Sequence, residues 1–259
     1  MKIREVIAAL ELVAPLPLQE SYDNAGLQVG LTEAEISGAL LCLDVTESVV
    51  DEAIREGCNL IVAHHPLIFR KLAHVTGASY VERIVMKAIK NDIAIVAAHT
   101  NLDNAEGGVN FKIAEKLCLS ELEPLQKSVD GNRWSGLVGN LPAPMSAEEF
   151  IQLLKHEFGV RCVHANELLK HDIRRVALCG GAGSFMLADA LRTGADAFVT
   201  GEMGYHEYFG YEQQLQICVI GHYESEQFTT EIFRDVITHY CPDVRTVIAH
   251  TVTNPIVYL

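Results

Sequence analysis

Several things are scarce in this 259-residue sequence. No stretch approaches the roughly 20 consecutive apolar residues that a helix needs to cross a bilayer, so no membrane association is expected. The amino-terminal MKIREVIAALELVAPLPL carries too much charge within its apolar part to be a secretory signal, and Ile3, Val6, Ile7 and Leu10 instead fit one face of a helix. Basic runs are missing as well: 20 Lys and Arg face 34 Asp and Glu, for a net charge of −14. Phosphate backbones reward clustered cations, so a nucleic-acid polymer is not expected as a partner, whereas a small nucleotide is still allowed. The seven cysteines, at 42, 58, 118, 162, 179, 218 and 241, contain no CxxC pair and cannot all pair internally. Cys42, Cys179 and Cys218 lie inside apolar runs, where a free thiol behaves as a small hydrophobe. This is the cysteine usage of a reduced, cytoplasmic protein. Gly/Ser linkers and low-complexity segments are also lacking.

What is present is 49% hydrophobic and 21% charged residues, ordinary for a folded chain whose length suits one large domain or two small ones. Apolar runs of strand length (39–44, 59–63, 93–98, 175–179, 196–200 and 216–220) alternate with helical patterns (46–56, 80–91, 106–118, 146–158, 184–193 and 224–239). Ser79 with Glu82, and Ser146 with Glu149, have capping-box spacing and mark two helix starts. Continuous apolar strands separated by helices predict an α/β fold with a largely parallel, two-sided sheet.

The chain also repeats itself. Shifted by 137 residues, Leu41 falls on Leu178, Cys42 on Cys179, Ala53 on Ala190, Arg55 on Arg192, Gly57 on Gly194 and Val62 on Val199. A shift of 123 lays IAIVAAHTNLD (93–103) over QICVIGHYESE (216–226), so that His99 meets His222 and Asp103 meets Glu226. Each strand then ends in a histidine followed four residues later by a carboxylate, which packing alone does not require. Two similar α/β domains related by internal duplication are expected, with a metal cleft between them. The first half would comprise 1–122 with 228–259, and the second 123–227.

In open α/β sheets, ligands bind beyond the carboxyl ends of the strands. His64 and His65 in LIVAHHPLIF, His99 with Asp103, and His222 with Glu226 all fall at such ends. Pro66 disfavours helix at His65 and fixes a tight loop. Four imidazoles and two carboxylates exceed what one tetrahedral ion needs and suit two ions sharing a carboxylate. A mixed N/O set without thiolate fits Zn, Fe or Mn and argues against an iron–sulfur cluster. His74, His156, His164, His171, His239 and His250 show no such pattern and read as solvated.

At this point HHPLIF (64–69), HTNLD (99–103), TGEMGYHE (200–207) and GHYESE (221–226) together resemble the YbgI-like, or Nif-three-like, dinuclear-metal family, also known as GTP cyclohydrolase I type 2. YDNAGLQVG (22–30) and GGAGS (180–184) look like two further signatures of that family. The resemblance implies two similar α/β domains and two divalent ions held by His64, His65, His99, Asp103, His222 and Glu226. It also implies self-association into a hexameric ring, and the compact form without an extra inserted domain. Tyr22 stands where the family often has Trp, and Glu202 where many members have Asp.

The chemistry implied is hydrolysis of a small-molecule substrate. In the family's cyclohydrolase reaction on GTP, hydration at C8 opens the guanine imidazole ring and formate is released. His206, which follows the fourth matched strand, is the first choice for proton shuttle, with Glu202 and Glu224 as weaker supporting candidates. Glu224 equally suits the first turn of a helix. GGAGS could present backbone N–H groups to a phosphate or serve only as a tight turn. Asn24 and Gln28 could be substrate donors or turn residues. A phosphoester hydrolase on the same ions, or a non-enzymatic metal-binding or scaffold protein, is the alternative reading.

Overall fold

The apolar runs become short central strands and the capped amphipathic runs become helices in the computed structural model, which describes residues 1–126 and 131–259. The chain begins α1 (Ile3–Val13), β1 (Gly26–Val29), β2 (Ala39–Cys42), α2 (Glu47–Glu56), β3 (Leu60–Ala63), α3 (Tyr80–Lys90), β4 (Ala94–Ala97) and the one-turn α4 (Thr100–Asp103). It continues α5 (Val109–Lys116), β5 (Ser120–Pro124), β6 (Leu137–Met145), α6 (Ala147–Phe158), β7 (His164–Ala165), β8 (Ile173–Cys179), α7 (Leu187–Arg192) and β9 (Ala197–Thr200). It ends β10 (Gln216–Val219), α8 (His222–Glu226), α9 (Thr229–Tyr240) and β11 (Thr246–Ile248). These elements form two compact α/β units, Met1–Leu102 with Thr229–Val257, and Asp103–Phe228 with Tyr258–Leu259.

In the first unit the strand order is β1-β4-β3-β2-β11, parallel except for the edge strand β1. Every residue of β2, β3 and β4 is buried, as a sheet covered on both faces demands. Val49, Val50 and Ala53 of α2 and Ile84, Val85 and Ala88 of α3 pack with Leu40, Ile61 and Ile95 on one side. Both helices start where their caps dictate: Thr46 accepts from the Val49 N–H, and Ser79 from the Glu82 N–H.

The second unit has the order β5-β6-β8-β9-β10-β7. Its β8, β9 and β10 are parallel; β6 and β7 pair antiparallel to the two sides of this triplet, and β5 pairs antiparallel to β6. Phe198, Ile217 and Val138 pack with Leu187 and Ala190 of α7 in one core. Ser146 and Glu149 close the expected capping box at the start of α6.

The repeat can be checked against strand register. Leu41 pairs with Val62 in the first sheet and Leu178 with Val199 in the second, so the shift of 137 carries one strand pair onto the other in register. For the third strand, Ala63 pairs with Ala97 and Thr200 with Val219, a shift of 122 (219 − 97), whereas His99 and His222 differ by 123 (222 − 99). The extra residue falls between Val219 and His222, where Gly221 has φ +103.

Two expectations change in detail. The helix predicted over 224–239 is two helices, α8 and α9, because the chain passes from the second unit to the first at Phe228–Thr229. The sheets are also less uniformly parallel than predicted, since both carry antiparallel edges. Strand β6 escaped notice because Pro142 and Pro144 sit in it, and its ladder is irregular between Asn140 and Met145 to accommodate them. Among the described residues, no helix is long and apolar enough to cross a membrane.

Candidate metal centre

Three consecutive parallel strands set the histidines of the first unit. Cys42, Ala63 and Ala97 are level at the carboxyl ends of β2, β3 and β4. The residues just beyond them, Asp44, His64 with His65, and His99, therefore emerge along one edge. Backbone bonds hold the His pair there: the His64 and His65 amides both donate to the Leu43 carbonyl, at 3.1 and 3.0 Å. The ring centroids of His64, His65 and His99 lie 4.9 to 5.4 Å apart. One ring nitrogen from each falls within 4.8 Å of the other two.

Each of these rings has its Nδ1 against an oxygen. His64 Nδ1 lies 2.8 Å from the Ala98 carbonyl, His65 Nδ1 2.8 Å from Asp44 Oδ1, and His99 Nδ1 2.8 Å from Asp23 Oδ1. A carbonyl or carboxylate oxygen only accepts, so Nδ1 carries the proton and Nε2 keeps a lone pair. Metal-binding histidines are oriented in this way, with the distal nitrogen donating to an oxygen. Burial pushes the Asp23 carboxyl up, but the bonds from His99 and Thr100 outweigh it and hold its pKa down at about 2. Burial likewise opposes ionisation of Asp44, and the bond from His65 leads the interactions that bring it below the usual carboxylate range. Both stay anionic against their imidazoles. Thr253 adds a hydroxyl bond to Asp44 Oδ2 at 2.8 Å.

The second unit builds its candidate pair differently. After β10, Gly221 turns the chain so that His222 opens α8 and Glu226 follows four residues later on the same helical face. His222 Nδ1 meets Glu202 Oε1 at 3.0 Å, the same outer arrangement, while Nε2 lies 3.2 Å from Glu226 Oε2. Two ligands on one tetrahedral ion with bonds of about 2.0–2.1 Å stand about 3.3 Å apart, so this pair fits a shared ion. The Gly181 N–H donates to Ser225 Oγ, and the Gly201 and Glu202 amides donate to the Gly181 carbonyl. A Cβ on Gly181 would come within 2.3 Å of Glu226 Oε1, and one on Gly201 within 2.9 Å of His222 Cα. Gly181 of GGAGS and Gly201 thus make room for α8. The element that follows is a short 3-10 turn and the six-residue α7, which favours the tight-turn reading over the phosphate one.

Asp103 closes α4, which begins immediately after His99, and its carbonyl accepts from Asn110 Nδ2 at 3.0 Å. Burial, then the charges of Asp103 and Glu226, push the Cys179 thiol up. Glu224 is buried in the first turn of α8. His206 is exposed on a 3-10 turn, its ring stacked on Phe209. Asn24 and Gln28 hold the chain around Ile68. Asn24 Nδ2 donates to the Ile68 carbonyl at 2.6 Å, and Gln28 Oε1 accepts from the Ile68 N–H at 3.1 Å, bracing the loop that follows the His pair. The six remaining histidines, 74, 156, 164, 171, 239 and 250, are all exposed.

Asp23, Asp44 and Thr253 were not singled out from the sequence. Asp44 had a readable signal: it lies two residues past Cys42, level with His65 two residues past Ala63. For Asp23 the signal was only structural, since antiparallel β1 starts opposite the end of β4, with Gly26 paired to Ala97.

The donor set of imidazoles and carboxylates, with outer oxygens fixing Nδ1, fits a divalent ion of the Zn, Fe or Mn kind. The family model for Duf34/NIF3 (NGG1p interacting factor 3) matches residues 1–255. The chain is 39% identical over 228 residues to the GTP cyclohydrolase 1 type 2 homolog of Clostridium perfringens, covering 87% of each protein. Its fold matches the crystal structure of a Bacillus cereus protein related to NIF3, with TM-score 0.91, 25% identity and coverage of 100% of this chain and 99% of that one. It also matches reduced HcgD from Methanocaldococcus jannaschii, with TM-score 0.80, 27% identity and coverage of 97% and 98%.

Proposed function

Because the chain belongs to the Duf34/NIF3 family, we propose that it is a hydrolase of a small substrate. It would work with two divalent ions, Zn, Fe or Mn, held by His64, His65, His99, Asp103, His222 and Glu226. The observation that carries this reading is the common arrangement of the four imidazoles, each with Nδ1 against an oxygen, the orientation in which Nε2 serves as the coordinating atom. Ions bound to such a set lower the pKa of a water and polarise a substrate oxygen.

The chain's own residues supply the rest. Asp44, Asp23, Glu202 and the Ala98 carbonyl fix the tautomer and aim of the four rings. Glu202 accordingly acts as a positioning residue for His222. His206, exposed on its 3-10 turn, is assigned the proton delivered to the leaving group, a role histidine commonly fills. The name borne by the relatives makes GTP the first substrate to test, with formate as the product to look for. Assembly into a hexameric ring belongs to the same reading and is checked by light scattering.

Elemental analysis of protein purified without a histidine tag tests the proposal. The expected value is close to two Zn, Fe or Mn per chain. A value that stays near zero after reconstitution would reject both the ligand set and the hydrolase.

A further inference from the structure

We infer that the turn following Glu202 forms a stacking subsite for a planar nitrogen heterocycle, such as the base of a nucleotide. A concavity of ≈ 550 Å³ in the second unit is bounded by His164 and Asn166 beside the edge strand and by Met203, Tyr205, Tyr208 and Phe209 from the turn. That volume lies within the range of roughly 300–1,000 Å³ typical of small-molecule sites. One wall is rigid, because the Asn166 side chain is spent on the Leu215 carbonyl, Gln216 Nε2 and the Ile217 N–H, each at 2.9 Å.

The other wall is aromatic and unusually exposed. Tyr205 is 74% and Phe209 59% exposed, with their rings edge-to-face at 5.6 Å. Clustered large apolar rings left in water beside a concavity mark a binding surface. Neither the Tyr205 nor the Tyr208 hydroxyl has a hydrogen-bond partner among the described residues. Ring faces and a methionine sulfur suit the flat face of a ligand, and two free hydroxyls with a histidine suit a polar ring edge. An alkyl chain would leave those hydroxyls unmatched. Lys and Arg are absent from the lining, so the site is not built for a phosphate.

Met203 directly follows Glu202, whose Oε1 holds His222 Nδ1. A ring in the concavity would therefore lie one residue from the positioning group of a proposed metal ligand. The subsite's place in a reaction rests on the hydrolase reading, but its capacity to hold a ring does not.

The test is calorimetric titration of guanosine, with ribose 5-phosphate as the ring-free control, into the full chain both metal-loaded and chelator-treated. Guanosine should bind in both states and ribose 5-phosphate should bind far more weakly. Phe209→Ala should weaken guanosine at least about fivefold, the low end of what one base–aromatic stack contributes, with metal content unchanged. Phe209→Trp should restore it, which separates stacking from misfolding. Equal binding of the two probes, or no effect of Phe209→Ala, would overturn the subsite. A drop in oligomeric mass in Phe209→Ala would overturn it too, by showing the rings to be a protein interface. Guanosine binding intact in a chain that takes up no metal would refute the hydrolase reading alone.

Discussion

The two parallel strand triplets share a register but spend their ends differently. In the first unit, β2, β3 and β4 run out into Asp44, His64 with His65, and His99, so side chains fill the strand edge. At the matching places of the second unit, β8 and β9 run out into Gly180–Gly181 and Gly201, and the space goes to a one-turn helix carrying His222 and Glu226. Both units nevertheless brace each imidazole through an outer oxygen. Two similar units can therefore present imidazoles and carboxylates either directly from strand ends or from a helix seated on glycine backbone. What both keep is the bracing.

The sharpest way to break the comparison is to remove one group from each side. His64→Ala and Glu226→Ala should each abolish stable metal binding by elemental analysis while the circular-dichroism spectrum stays near wild type. If either variant keeps its metal, the two units do not contribute equally. A smaller effect separates the outer carboxylates. Asp23 has a fully buried side chain, whereas that of Glu202 is 57% exposed. Asp23→Asn should weaken metal about 10- to 100-fold in chelator competition, and Glu202→Gln by less than that range. An equal loss in both would mean that burial of the outer partner is irrelevant.

How much of this was legible without coordinates follows from the same contrast. Strand-end histidines are visible because an apolar run announces the strand and the imidazole follows at once, so His64, His65, His99 and His222 could all be named. The three parallel strands of each unit were visible for the same reason. Asp23 was not, because it reaches His99 only through an antiparallel edge strand whose four residues, GLQV, carry no strong pattern. Thr253 was not, since its link to Asp44 spans 209 residues of chain. The edge strands β5 and β7 are short and largely exposed, and thus lack the burial that makes a strand readable.

Gly221 lies where the repeat departs by one residue, and it sharpens the comparison next. Its φ of +103 is open to glycine and costly for other residues, and a Cβ there would lie 2.1 Å from Glu224 Oε2. Gly221→Ala should destabilise the chain by about 1–3 kcal/mol in urea unfolding. Ala98, which precedes His99 at the corresponding turn, already carries a Cβ, so Ala98→Gly should have a much smaller effect. A neutral Gly221→Ala would show that a positive φ at this turn is not needed to start α8.

The smallest effect concerns two acids that the shift of 137 superposes, Glu52 on α2 and Asp189 on α7. Glu52 is buried and accepts from the His250 and Thr251 amides at 2.7 and 2.9 Å, which ties the carboxyl-terminal segment down two residues before Thr253 reaches Asp44. Asp189 instead takes Gln126 and Arg192, with no link to an imidazole. Burial raises the Glu52 pKa, but the bonds from Thr251 and His250 bring it below its ordinary value of 4.5. A carboxyl depressed on folding stabilises above its unfolded pKa and loses that contribution as pH falls through the folded value. The melting temperature of metal-free Glu52→Gln should therefore lie below wild type at pH 7, with the gap closing below about pH 4.5. At neutral pH the same variant should bind metal a few-fold more weakly, since a loosened tail leaves Asp44 freer to turn away from His65, whereas Asp189→Asn should leave metal affinity unchanged. Equal metal loss in both variants would place the effect in general stability and not in the tail.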